Sequence, residues 1–219
     1  MDAMERIAPR ALAEEWDNPG LLVGSPAQQV NRIMVCLDVS EAVVDQAVAQ
    51  HCEMIVAHHP LLFKPIKKVR TDLPLGRVLQ KLLVHHMAVY AAHTNLDIAQ
   101  GGVNDVLARR IGLQELEPFV LTQPSGQRPP FAPASLGRIG YLAEPMTAEA
   151  FAGRVRDGLG AAHVRLVRAG TKRIRKVAVC SGSGAEFIGK AVFCGADAYV
   201  TGDVRYHEAQ HAAEAGIHV

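Results

Sequence analysis

The sequence is short of aromatic residues, of charge imbalance and of long apolar runs, and each shortage narrows what it can be. Aromatics make up 5% of the 219 residues while hydrophobic residues reach 49%, so the interior is aliphatic and alanine-rich, which suits α/β layers better than a β-sandwich. A net charge of +1 gives no general case for nucleic acid or a membrane surface as partner. The single basic run, Arg165 to Lys176, falls between two expected strands and reads as a solvated turn. No stretch approaches the roughly 20 apolar residues that span a bilayer. The opening Met1-Asp2-Ala3-Met4-Glu5-Arg6 places acids where a signal peptide carries a basic and then an apolar segment. Cys36, Cys52, Cys180 and Cys194 show no C-x-x-C spacing and read as small buried thiols in a reducing compartment. A soluble, cytoplasmic protein is expected.

What is present centres on Met54-Ile55-Val56-Ala57-His58-His59-Pro60, an apolar strand running into two adjacent histidines. Neighbouring side chains on a regular strand point to opposite faces, so both rings serve one site only where the strand loses its pleat. Pro60 restricts His59 to extended backbone. Two ions about 3.5–4 Å apart are what two-metal hydrolytic sites use. The plainer alternative is a histidine pair that caps the strand and bonds to backbone.

Taken in order, residues 1–8 read as a short helix. Trp16-Asp17-Asn18-Pro19-Gly20 reads as a turn with a buried tryptophan and two side chains tying down the loop. A strand runs from Arg32 to Asp38, Ser40 caps a helix to about Cys52, and the His-His strand follows. Pro74 opens a helix with Leu75, Val78, Leu79, Leu82 and Leu83 as its apolar stripe. Met87 to Ala92 is a buried strand ending in His93-Thr94-Asn95-Leu96-Asp97, and Gly101-Gly102 opens another helix. After the proline-rich 122–134 come strands near Leu136–Leu142, Val164–Arg168, Lys176–Cys180 and Asp197–Thr201. Helices start at Thr147, Ala185 and Arg205, the last with Gly216 as its C-cap. Strands alternating with amphipathic helices predict α/β architecture in two pseudo-repeated lobes, with largely parallel or mixed sheets flanked by helices. The lobes are expected at 1–121 and 135–219, joined by a linker at 122–134.

The halves repeat. An offset of 144 residues, without a gap, aligns Val35 with Val179, Val44 with Ile188, Ala47 with Ala191, Glu53 with Asp197 and Val56 with Val200. It also sets His58-His59 opposite Gly202-Asp203.

Asp38, His58-His59, His93, Asp97, Ser181-Gly182-Ser183 and Asp203 each lie just past the carboxyl end of an apolar strand, the edge where open α/β sheets bind ligands. That convergence favours the metal reading. Asp97 is the natural third ligand, since a carboxylate offsets charge and bridges ions, while His93 either binds or orients another ligand. His85-His86 ends a helix at the opposite edge and reads as a cap. His207-Glu208-Ala209-Gln210-His211 spells the zinc-protease motif, but so close to the chain end that a protease is not the reading adopted.

Four motifs in order carry a resemblance over nearly the whole chain. Trp16 to Gly24, His58-His59-Pro60, His93 to Asp97 and Thr201 to His207 resemble the Nif-three-like dinuclear-metal family, whose members are often named GTP cyclohydrolase 1 type 2 homologs. The resemblance implies a two-lobed α/β fold in a homohexameric ring, two divalent ions (zinc, manganese or iron) and, as ligands here, His58, His59 and Asp97. It further implies a last strand ending in a His and a Glu that complete the site. Ile217-His218-Val219 stops where that strand begins, so the chain is expected to be C-terminally truncated, with His218 not the equivalent ligand.

The leading expectation is a dinuclear metal-dependent hydrolase of a small-molecule substrate, a nucleotide or related phosphate compound. Asp38, His93, Asp203 and His207 are the candidates for general base. The alternatives are a non-enzymatic metal-binding ring that acts as a scaffold, and a ring that encircles nucleic acid, for which the near-zero charge speaks poorly.

Overall fold

The computed structural model describes residues 1–122 and 134–219 and separates into two compact units, Met1–Leu96 and, from Asp97 onward, the rest of the described chain. The division falls at Leu96, earlier than the lobe boundary expected at 121, and residues 123–133 of the expected linker lie outside the described residues.

In the first unit the chain runs α1 (Asp2–Ile7), β1 (Gly20–Val23), β2 (Ile33–Cys36), α2 (Glu41–Ala49), β3 (Met54–Ala57), α3 (Pro74–Val84), β4 (Ala88–Ala91) and into α4 (Thr94–Ile98). The sheet order is β1-β4-β3-β2, with β4, β3 and β2 parallel and β1 antiparallel against β4. Ser40 caps α2 through its side chain, which accepts from the Val43 amide, and Pro74 opens α3. One face of the sheet packs Ile55 and Val89 against Val44, Ala47, Val78, Leu79 and Leu82 of the two long helices. Leu83 does not join that stripe. It is 62% exposed, because the turn that leads to β4 leaves its side of α3 uncovered.

Two glycines bracket β1 for steric reasons. Gly20 and Gly24 hold φ of +110° and +98°, and a Cβ on Gly24 would sit 2.8 Å from the Ala88 Cβ. The close approach lets β1 lie flat against β4, with Gly20 opposite Ala91. Because β1 is antiparallel, the loop just before it arrives at the carboxyl end of β4.

The second unit runs α5 (Val103–Arg110), β5 (Gln114–Leu121), β6 (Ser135–Met146), α6 (Ala148–Leu159), β7 (Ile174–Val179), α7 (Ile188–Phe193), β8 (Ala198–Val200) and α8 (Tyr206–Glu214). Its sheet order is β5-β6-β7-β8, antiparallel except for the β7–β8 pair. Thr147 caps α6 as expected. Residues 164–168, expected as a strand, form no element of their own; Val167 exchanges two backbone hydrogen bonds with Val219 instead. A buried ion pair between Arg138 and Asp105 ties β6 to α5, with the guanidinium also donating to the Ile98, Ser135 and Gly137 carbonyls.

The 144-residue repeat is present in hydrogen-bond register. Ile33, Met34 and Val35 pair with Met54, Ile55 and Val56; Val177, Ala178 and Val179 pair with Ala198, Tyr199 and Val200. The brace beneath repeats too. Glu53 accepts from the amides of Asn31 and Arg32, and Asp197 accepts from those of Arg175 and Lys176.

Candidate metal centre

Three parallel neighbours, β4, β3 and β2, bring His93, His58-His59 and Asp38 in turn to one edge of the first sheet. The loop before β1 adds Trp16 and Asp17 to the same edge. At the end of β3 the regular alternation fails. The amides of His58 and His59, consecutive along the chain, both donate toward β2, to the carbonyls of Cys36 (3.2 Å) and Leu37 (3.0 Å). In an unbroken strand successive amides face opposite neighbours. The lost pleat is what lets both rings turn to the same side, with centroids 5.1 Å apart.

His58, His59 and His93 converge: each offers a ligand atom, and the three atoms lie within 4.8 Å of one another. The ring of His93 lies 5.3 Å from that of His58 and 5.8 Å from that of His59. Each ring is oriented through Nδ1, at 2.8 Å in all three cases. His58 donates to the Ala92 carbonyl, His59 to Asp38 Oδ1 and His93 to Asp17 Oδ1. A carbonyl or carboxylate oxygen only accepts, so the neutral imidazoles carry their proton on Nδ1 and the lone pair on Nε2. That is the arrangement by which proteins fix histidine ligands.

Asp17 is the hub. Its side chain is fully buried. Besides His93 it accepts from the Thr94 amide at 3.0 Å and from the Thr94 hydroxyl. Burial pushes its carboxyl upward, but the hydrogen bonds from His93, Thr94 and the Asn18 amide outweigh that and hold it below the ordinary carboxylate range. The segment after His93 is pinned as well, since Asn95 Oδ1 accepts from the His93 amide and Asn95 Nδ2 donates to the Ala8 carbonyl.

The sequence singled out His58, His59 and Asp97, and the structure brings His93 to the pair. Asp97 belongs to the second unit, where its carboxylate accepts from Ser181 Oγ at 2.9 Å and its carbonyl from Asn104 Nδ2 at 3.0 Å. Asp38 turns out to orient His59. Asp17 reads from the sequence only as a loop tie; its role as partner of His93 appears once β1 pairs with β4 and carries the preceding turn to this edge. Trp16, expected to be buried, is 60% exposed, because its indole stands at the rim of the edge rather than beneath it.

His207, His211 and His218 lie in other surroundings. Glu208 Oε2 accepts from the Arg205 amide at 2.7 Å and so caps α8, with His207 and His211 both exposed. His218 is buried; its Nδ1 accepts from the Ala169 amide and its Nε2 lies 3.3 Å from the Lys172 carbonyl. Gly202 and Asp203, opposite His58-His59 in the repeat, carry no imidazole. Among the described residues, no helix is long and apolar enough to cross a membrane.

Comparison with known proteins points one way. The Duf34/NIF3 (NGG1p interacting factor 3) family matches residues 1–219. A GTP cyclohydrolase 1 type 2 homolog of Clostridium perfringens is 34% identical over 219 residues, covering 100% of this chain and 81% of the relative. One of Halalkalibacterium halodurans is 31% identical, covering 98% and 84%. A Bacillus cereus protein related to NIF3 superposes with a TM-score of 0.90 at 31% identity, over 99% of this chain and 85% of the other. Reduced HcgD from Methanocaldococcus jannaschii gives 0.83 at 29%, over 99% and 82%.

Proposed function

The chain belongs to the Duf34/NIF3 family, and from that membership and the histidine cluster we propose that it is a hydrolase dependent on two divalent ions and acting on a nucleotide or related phosphate compound. One observation carries the reading: three imidazoles converge, with a ligand atom of each within 4.8 Å of the others, and each ring is oriented through its Nδ1.

The donor set fits a divalent transition ion. Imidazoles suit zinc or iron(II) better than manganese, which prefers oxygen ligands, and three histidines make a common catalytic zinc set. Bound ions supply Lewis acidity to the bond under attack and activate water near neutral pH. The protein's part is orientation. Asp17, itself buried and held ionised, fixes the His93 ring and strengthens it as a donor; Asp38, at the solvent edge, does the same for His59. Asp97, expected as the third ligand from its carboxylate and from the family resemblance, lies in the second unit, and the proposal stands on the three histidines.

The names of the relatives make GTP the first substrate to try. On the same resemblance the protein is a cytoplasmic homohexamer. The test is to load it with zinc, iron(II) or manganese and follow GTP, other nucleotides and cyclic phosphates for turnover, with His59→Ala as control. Metal-dependent turnover lost in the variant supports the reading. Stoichiometric metal with no turnover of any of these compounds would leave a binding protein, and absence of bound metal would remove the proposal.

A further inference from the structure

The rim of the histidine cluster carries two large apolar rings that the fold does not bury. Trp16 is 60% exposed and Phe63 42% exposed. Their centroids are 5.9 Å apart with planes at 71°. Both also meet His93, Trp16 at 6.1 Å and 76°, Phe63 at 6.2 Å and 87°. Three rings at mutually steep angles stand like the faces of a box corner, and His93 is shared between this corner and the metal cluster.

The corner is built. Asn18 Nδ2 donates to the Leu62 carbonyl at 2.6 Å, which ties the loop of Trp16 to the loop of Phe63. Asp17 ties the same loop to His93. Each ring is therefore flanked by a residue whose hydrogen bond fixes it relative to another, and the rings are placed before any ligand arrives. Exposed Lys64 follows Phe63 directly, and exposed Lys67 and Lys68 come soon after in the same segment.

We propose that Trp16 and Phe63 form the binding face for a planar heteroaromatic ring, the base of a nucleotide, and so set which compounds reach the histidine cluster. A ring lying on one face of the corner is about one ring's width from His93, close enough for the ring itself, and not only its phosphates, to lie beside the metal ligands. Base–aromatic stacking tolerates many bases because each has a π-face, so the face selects the class, a base-bearing phosphate compound. The phosphate of such a compound is the group that the lysines of the Phe63 segment would attract. The inference depends on the hydrolase reading only for what lies next to the ring.

Trp16 is the sole tryptophan, so its fluorescence reports on this corner alone. Titrating the 219-residue protein with GMP, and separately with ribose 5-phosphate, compares the same phosphate with and without a base. GMP is expected to quench saturably and ribose 5-phosphate to bind roughly tenfold or more weakly, the loss of one stacked base. Phe63→Ala and the milder Phe63→Leu are expected to weaken GMP by a similar factor, and Trp16→Leu, followed by calorimetry, likewise. Both side chains are exposed, and thermal unfolding of each variant checks that it folds. Equal affinity for GMP and ribose 5-phosphate, or GMP binding unchanged in folded Phe63→Leu and Trp16→Leu, would overturn the inference. Zinc titration of the same proteins separates the two readings. Zinc bound with no response to GMP removes the aromatic face alone; Phe63-dependent quenching with no zinc bound removes the metal site alone and leaves the face standing.

Discussion

The two βαβ segments, β2-α2-β3 and β7-α7-β8, share register, an acidic brace and a turn, yet only the first ends in a cluster of imidazoles. The scaffold does not make the site; the few residues beyond its strands do. In the first unit β3 ends in His58-His59 with Asp38 across from it. The corresponding residues of the second are Gly202-Asp203 and Gly182. The second edge has also lost the space. The Gly202 amide donates to the Gly182 carbonyl at 2.9 Å, and a Cβ on Gly202 would sit 2.9 Å from that same oxygen. Asp203 takes left-handed backbone at φ +53°. The next strand differs too. Buried β4 lies along β3, whereas His218 makes a single bridge to Ala198 on β8, beside a groove of about 680 Å³ lined by Val200, Thr201 and Val219.

Exchanging the edges tests that contrast most severely. His58→Gly with His59→Asp gives the first edge the second's side chains and is expected to weaken divalent-metal binding at this site by at least about 100-fold, more than the loss of an orienting partner alone. The reverse exchange, Gly202→His with Asp203→His, is expected to create no comparable site, since Gly182 offers no brace and the first new side chain has no room. Calorimetric titration with zinc reads both. A smaller effect is expected of Asp17→Asn, which keeps the shape but removes the charge behind His93. Metal affinity should fall roughly 10- to 100-fold, while Asp38→Asn, at the solvent edge, should cost less.

The shared brace sharpens the comparison from the other side. Asp197→Ala strips partners from two backbone amides and from Lys172, at a largely buried position, and is expected to cost about 1–3 kcal/mol in denaturant unfolding. Glu53→Ala, at a more open position, should cost less. The smallest effect is one of pH. Burial pushes the Asp197 carboxyl up, but Lys172 and the two amides prevail and hold it below its ordinary value. A depressed carboxyl contributes stability above its unfolded pKa of about 3.9, and that contribution fades as pH falls through the lower folded value. Acid unfolding below about pH 4 should therefore be shallower in Asp197→Asn than in the parent protein.

Much of this was legible in the residues, for identifiable reasons. The apolar runs at 33–37 and 54–57 are short, uninterrupted and bounded by polar residues, and Ser40, Pro74 and Thr147 mark helix starts by local chemistry alone. The repeat was visible because both copies retain the same spacing. What was not legible depends on pairing across the chain. β5 carries Pro118 and three polar residues and reads poorly as a strand, yet it lies at a sheet edge, where a missing amide is tolerated. That His93 joins His58 and His59 follows only once β4 lies beside β3 in parallel. Trp16 reads as core by its size alone, and only the antiparallel β1 places its loop at the rim.

Zinc-soaked crystals, measured for anomalous scattering at the zinc edge, test the central claim most directly. The expected result is a peak at the carboxyl edge of the first sheet, about 2.0–2.1 Å from Nε2 of His58, His59 or His93, with at least two of these rings binding and none at the Gly202-Asp203 edge. Zinc held instead by His207 and His211 on α8, with the three convergent rings bare at saturating metal, would contradict it.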